Sequence, residues 1–154
     1  MLQLHRIFCA TPWELEAERD QFYRVIGEFN ESAGLARGIL FVPVSLNCVR
    51  DKRPLQYVID ENIRECRHYI LVHTGNWGPV ERNFHYDYCL ALESLANPAL
   101  PMTEIATLRR APRPNFPLEP DFASMPAPNA EFQTPEEFRQ CLLDLCARWL
   151  NGIS

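Results

Sequence analysis

Residues 39 to 44, ILFVPV, carry no polar side chain. A strand with one wet face alternates apolar and polar residues. An unbroken apolar run of this length marks a strand covered on both faces. Such strands belong to parallel sheets with helices packed above and below. The proline narrows the placement further. Pro43 has no N–H to give to a ladder, so this strand belongs at an edge or a bulge.

The rest of the chain repeats the alternation that a parallel sheet needs. Leu4 to Cys9 reads as a first strand. Thr11 as cap, Pro12 at the first helical position and Glu14 three after the cap form a capping box. The spacing of Leu15, Phe22, Val25, Ile26 and Phe29 predicts a helix from Pro12 to about Asn30. Gly34 and Gly38 end that pattern. After a polar loop, 47 to 53, Pro54 opens a second helix with Leu55, Val58, Ile59, Ile63 and Cys66 on one face. Tyr69 to His73 is the third strand. Asn83 caps a third helix from Phe84 to about Leu95. Its wheel places Phe84, Tyr88, Ala91, Leu92 and Leu95 on the buried stripe, with Asp87 and His85 on the two borders. Glu104 to Leu108 is a fourth strand. A proline-rich irregular loop covers about 109 to 128. Ala130 to Gln133, then Thr134, Pro135 and Glu137, repeat the strand and capping-box logic before a last helix that runs to about Leu150.

The reading is one domain over all 154 residues, long enough for a real core. Short connections and right-handed crossovers make it an α/β sandwich of three layers, a parallel sheet with helices on both faces. Its five parallel strands take the order 2-1-3-4-5, with Pro43 at the edge. In that order the chain leaves strands 1 and 3 in opposite directions, and ligands bind in the crevice beyond their C-terminal ends. Two loops meet there. Cys9, Ala10, Thr11 and Trp13 form one wall, and Thr74, Gly75, Asn76 and Trp77 the other. The glycines let the backbone turn and approach a ligand closely. Trp13 and Trp77 read either as stacking surfaces or as an apolar lid.

The net charge of −5 argues against a nucleic-acid polymer as partner, because such binding needs a basic surface. The apolar runs are too short to cross a bilayer, and the first residues lack the order of a signal peptide. The expectation is a cytoplasmic protein whose cysteines, Cys9, Cys48, Cys66, Cys89, Cys141 and Cys146, are all reduced. No CxxC pair suggests a zinc ribbon, so neither a metal nor a resident cofactor is expected. Glu18 falls on the apolar stripe of the first helix and needs a partner there; if buried, it joins the ligand-binding residues by orienting the loop after strand 1. Arg6, Arg19 and Arg24 are within reach. Asp87 is the carboxylate nearest the crevice, although an acid in a first turn also simply favours the positive end of the helix dipole. His73 ends strand 3, either facing the crevice or satisfied within the fold. His85 reads as a surface residue.

The segment RIFCATPWELEAERDQFYRVIGEFN resembles the opening of TIR-like domains and of nucleoside deoxyribosyltransferase-like proteins. It is similar in particular to a bacterial TIR-like group opening with "vFvSSTfeDLkeER", which Phe8 to Thr11, Glu14-Leu15 and Glu18-Arg19 match. HYILVHTGNWG resembles that group's third strand and its Gly/Trp loop. FHYDYCLALES stands at its "E-x-x-x-A" helix, and EFQTPEEFRQCLLDL resembles its closing strand and helix. The resemblance implies a flavodoxin-like three-layer sheet and a pocket for a nucleotide or nucleoside. It also implies, in enzymatic relatives, a glutamate that acts on an N-glycosidic bond of NAD or a nucleoside. That glutamate falls on Asp87, one methylene shorter, with Glu81 as a substitute. The "SGT" that precedes the helix in deoxyribosyltransferases is replaced here by ERNF. Many TIR-like domains are non-enzymatic assembly modules, so the resemblance also implies a scaffold that binds protein, as a homodimer or with another partner.

Overall fold

A computed structural model describes residues 1–12, 15–46, 54–78, 82–111 and 118–153. The elements follow in the order β1 (Gln3–Ala10), α1 (Glu16–Phe29), β2 (Ile39–Val44), α2 (Leu55–Glu65), β3 (His68–His73), α3 (Phe84–Ala96), β4 (Glu104–Arg110), the single turn α4 (Pro120–Ala123), β5 (Ala130–Phe132) and α5 (Pro135–Asn151). The five strands form one sheet of order β2-β1-β3-β4-β5, and every pairing is parallel. The expected flavodoxin-like order is therefore the observed one. Pro43 lies on the edge strand, opposite Ile7.

Side-chain alternation divides the core into two layers. Ile7, Cys9, Phe41, Ile70, Val72 and Leu108 point to the face covered by α1 and α5. Phe8, Ala10, Tyr69 and Leu71 point to the face covered by α2 and α3. β3 is central and buried at all six positions, as a strand covered on both sides must be.

The edge of β2 is closed by a side chain. Asn30 is buried and pairs with Phe41 as another strand would. Its Nδ2 donates to the Phe41 carbonyl at 2.8 Å and its Oδ1 accepts the Phe41 N–H at 2.8 Å. Asn30 gets there because α1 does not stop cleanly. It continues into a π turn, Asn30–Gly34, and a 3-10 turn, Leu35–Arg37, before Gly38 at φ 72° closes it.

Two local expectations need correction. α1 starts at Glu16 with Leu15 in the N-cap position and no side-chain cap, so Thr11 does not cap it; Glu14, the other half of that box, lies outside the described residues. The second box forms. Thr134 Oγ1 accepts the Glu137 N–H at 3.2 Å, and the Glu137 carboxylate accepts the Gln133 N–H at 2.6 Å. α3 is also turned relative to its wheel. Phe84, Asp87, Leu90, Ala91 and Ser94 are buried, while Leu92 and Leu95 are exposed. This helix is apolar on most sides, so periodicity alone did not single out its inner face.

Cys9, Cys66, Cys89, Cys141 and Cys146 are free; Cys48 lies outside the described residues. Among the described residues no helix is long and apolar enough to cross a membrane.

Candidate functional site

The chain reverses its direction of travel between β1 and β3, so the loops after these two strands meet at one end of the sheet. On the β1 side, Cys9 and Ala10 are each 1% exposed and belong to the two core layers. Burial pushes the Cys9 thiol far up, which leaves it protonated and unreactive. Thr11 is half-buried, and Trp13 lies outside the described residues.

The loop after β3 is built by side chains and two left-handed glycines. Asn76 Nδ2 donates to Thr74 Oγ1 at 3.2 Å, and Asn76 Oδ1 accepts the Gly78 N–H at 3.1 Å. Gly75 and Gly78 stand at φ 99° and 73°, where a Cβ is strained. The Gly75 N–H donates to His73 Nδ1 at 3.1 Å. His73 is buried inside the fold, and desolvation, aided by Arg109, lowers its pKa to about 4.

What approaches this loop is another part of the chain. A Cβ on Gly75 would come within 2.8 Å of Leu118 Cδ1. The Glu119 N–H donates to the Gly75 carbonyl at 2.9 Å, and the Glu119 carboxylate accepts the Trp77 N–H at 3.4 Å. Trp77 Nε1 donates to Asp121 Oδ2 at 3.1 Å. The Phe122 ring lies 4.4 Å from Trp77 and 4.5 Å from His73, centroid to centroid. His85 stacks on Trp77 from α3 at 4.9 Å and stands 3.8 Å from Asp121. Trp77 is thus 8% exposed and covered by Phe122, rather than presenting an open face.

Asp87 is fully buried, in the first turn of α3 and on its inner face rather than on a rim. Arg82 Nη1 meets its Oδ2 at 2.5 Å, and Gln56 Nε2 donates to its Oδ1 at 2.9 Å. Burial pushes the carboxyl pKa up; Arg82 and Gln56 pull it back. The helix start is fixed by Asn83, whose Oδ1 accepts the Tyr86 N–H at 3.2 Å. Glu81, the substitute carboxylate, lies outside the described residues.

Glu18 is buried and partnered, but not by any arginine that its sequence neighbourhood offered. Arg110, at the end of β4, meets its Oε1 at 3.2 Å, while its Oε2 is buried without a partner. Arg109 beside it faces Glu131 of β5 at 3.7 Å.

The fold brings Cys9, Ala10, Thr11, Thr74, Gly75, Asn76 and Trp77 to one end of the sheet. Asp87 lies in the α2–α3 layer beneath, engaged with its own neighbours. Sequence reasoning missed Gln56, Arg82, Arg110, Glu119, Asp121 and Phe122. Arg82 was findable, since it precedes the Asn83 cap and lies one turn from Asp87. The others arrive from distant elements, and no local pattern announces them.

These features define a flavodoxin-like α/β module with its switch-point loop covered from within. A flavodoxin-like sheet is also what the TIR-like resemblance implies. No family model matches the chain, and no curated protein does. Among solved structures it is similar to the crystal structure of the RPS4 and RRS1 TIR domain heterodimer. That likeness has 15% identity and a TM-score of 0.49, over 94% of this chain and 97% of that one. A likeness at this level carries no argument about function.

Proposed function

We propose that this chain is a TIR-like module that binds protein and does not cleave N-glycosidic bonds. One observation carries the non-catalytic half of the reading, which leaves the assembly role of such modules: both oxygens of Asp87 are occupied, in a fully buried site, by Arg82 and Gln56. A carboxylate that attacks or stabilises an anomeric carbon must reach it in van der Waals contact. Asp87 would have to leave its ion pair and expose Arg82 as an unpaired, largely buried charge, which is strongly unfavourable. Free thiols at the five described cysteines fit the reducing environment of a cytoplasmic protein.

A second reading, a nucleotide or nucleoside ligand in the crevice with NAD as candidate substrate, is favoured by the buried, unpartnered Oε2 of Glu18 at the same end of the sheet. Incubation with NAD and a nucleoside panel separates the two. The protein-binding reading expects no free base from the wild type and none from Asp87→Asn. Base release by the wild type that vanishes in a folded Asp87→Asn variant establishes the glycoside hydrolase instead.

A further inference from the structure

The residues on Trp77 form a short consecutive run, Leu118-Glu119-Pro120-Asp121-Phe122, seated on the loop after β3. Each part of the run meets a matching feature. Leu118 packs where Gly75 has no side chain. The Glu119 N–H and carboxylate bond the backbone on either side of Asn76. Asp121 accepts from the indole N–H, and Phe122 fills the space between Trp77 and His73. Pro120 sits at the first helical position of α4, where its fixed φ preorganises the turn. Most of the run remains on the surface: Leu118 is 45% exposed and only Phe122 is buried. This is how a groove holds a short peptide, with one aromatic anchor, one apolar contact and polar groups that set the register.

The geometry points to a peptide-docking groove formed by His73, Gly75, Trp77 and His85, which accepts an acidic-aromatic segment of a partner protein and is filled in cis by Leu118 to Phe122. The partner chemistry follows from the donors that the groove presents. The backbone and indole N–H groups of Trp77 both meet carboxylates. His85, when protonated, adds a cation 3.8 Å from Asp121. A residue with a carboxylate immediately before an aromatic residue satisfies these positions; a basic or purely apolar segment leaves the indole N–H unpaired. The tethered segment competes at high effective concentration, so a partner binds weakly until the segment is displaced or altered. This inference rests on the protein-binding reading and gives it a surface.

The test uses the whole chain and a synthetic peptide, LEPDFASM, spanning residues 118 to 125. The double variant Asp121→Asn, Phe122→Ala empties the groove while leaving its walls. Calorimetry and the Trp77 indole N–H resonance report binding, and circular dichroism reports folding. The expected result is saturable binding to the double variant, at least about tenfold tighter than to the wild type, as release from a tethered competitor implies. A peptide with the Asp→Asn and Phe→Ala changes should lose that binding. If the double variant does not fold, Asp121→Asn alone is used, and binding tighter than wild type is again expected. No binding to a folded variant, or equal affinity of the native and altered peptides, overturns the inference. Base release from the same samples bears on the parent reading alone, so the two failures are told apart.

Discussion

Asn30 shows how much one side chain settles. An edge strand leaves N–H and C=O groups that another chain can pair with. Asn30 occupies both groups of Phe41. Tyr23 does the same for Ser45, its hydroxyl accepting the Ser45 N–H at 2.7 Å and donating to the Ser45 carbonyl at 3.2 Å. Asn30→Ala should strip both partners from Phe41 and cost about 2–4 kcal/mol, from two buried groups left unsatisfied. Urea denaturation measures this, and a loss under about 1 kcal/mol, within the net value of one ordinary hydrogen bond, would mean that the edge does not depend on Asn30. Trp77 makes a second test. As a core residue under Phe122, its replacement by alanine should cost about 3–5 kcal/mol. A Trp77→Ala protein as stable as the wild type would return Trp77 to the role of an open stacking surface.

At the scale of elements, the two capping boxes separate what local sequence promises from what forms. Both carry Thr, Pro and Glu at the same spacing, yet only Thr134 caps its helix. Thr134→Ala should therefore destabilise by about 1 kcal/mol, as loss of an N-cap does. Thr11→Ala should cost less than about 0.5 kcal/mol, in the range of substitutions away from special features. Denaturation midpoints of the two variants decide it, and equal losses would place a functioning cap at Thr11. α3 teaches a related lesson. Asp87 in a first turn reads naturally as a dipole acid, but its burial and its bond to Gln56 make it a tie between α2 and α3. That tie depends on helix rotation, which an apolar helix does not announce.

For the whole molecule, the buried histidines predict a stability that depends on pH. Desolvation first, then Arg67, His5 and Arg148, lower the pKa of His68 to about 3. His68 lies stacked on Trp149 at 4.0 Å. His73 is lowered to about 4. Both fall below the ordinary value of 6.5, so between about pH 4 and 6.5 the unfolded chain binds more protons than the folded one. Stability is then full above about pH 6.5 and declines as the pH falls through that window, by a few kcal/mol in all. Asp87, whose carboxyl pKa is raised, works in the opposite direction as it takes up a proton. The decline should be visible as a lower urea midpoint at pH 5 than at pH 7.5. His68→Phe keeps an aromatic on Trp149 and should flatten part of it; an unchanged slope in that variant would remove His68 as a cause.

The order of elements, the parallel sheet and the edge position of β2 were all legible in the chain itself. They depend on periodicity, on apolar runs covered from both sides and on a proline without an N–H, which are properties of consecutive residues. The glycine loop after β3 was legible for the same reason, because φ near 99° and 73° demands glycine wherever the loop lies. The occupants were not. Arg110 reaches Glu18 from β4, Gln56 reaches Asp87 from α2, and Phe122 reaches Trp77 from α4. Each pair is separated by 31 residues or more along the chain, and a side chain's own neighbours carry no signal of a partner that far away. Whether Trp77 faces solvent or Phe122 depends on which distant segment covers it, and packing is settled by the three-dimensional arrangement of all the layers.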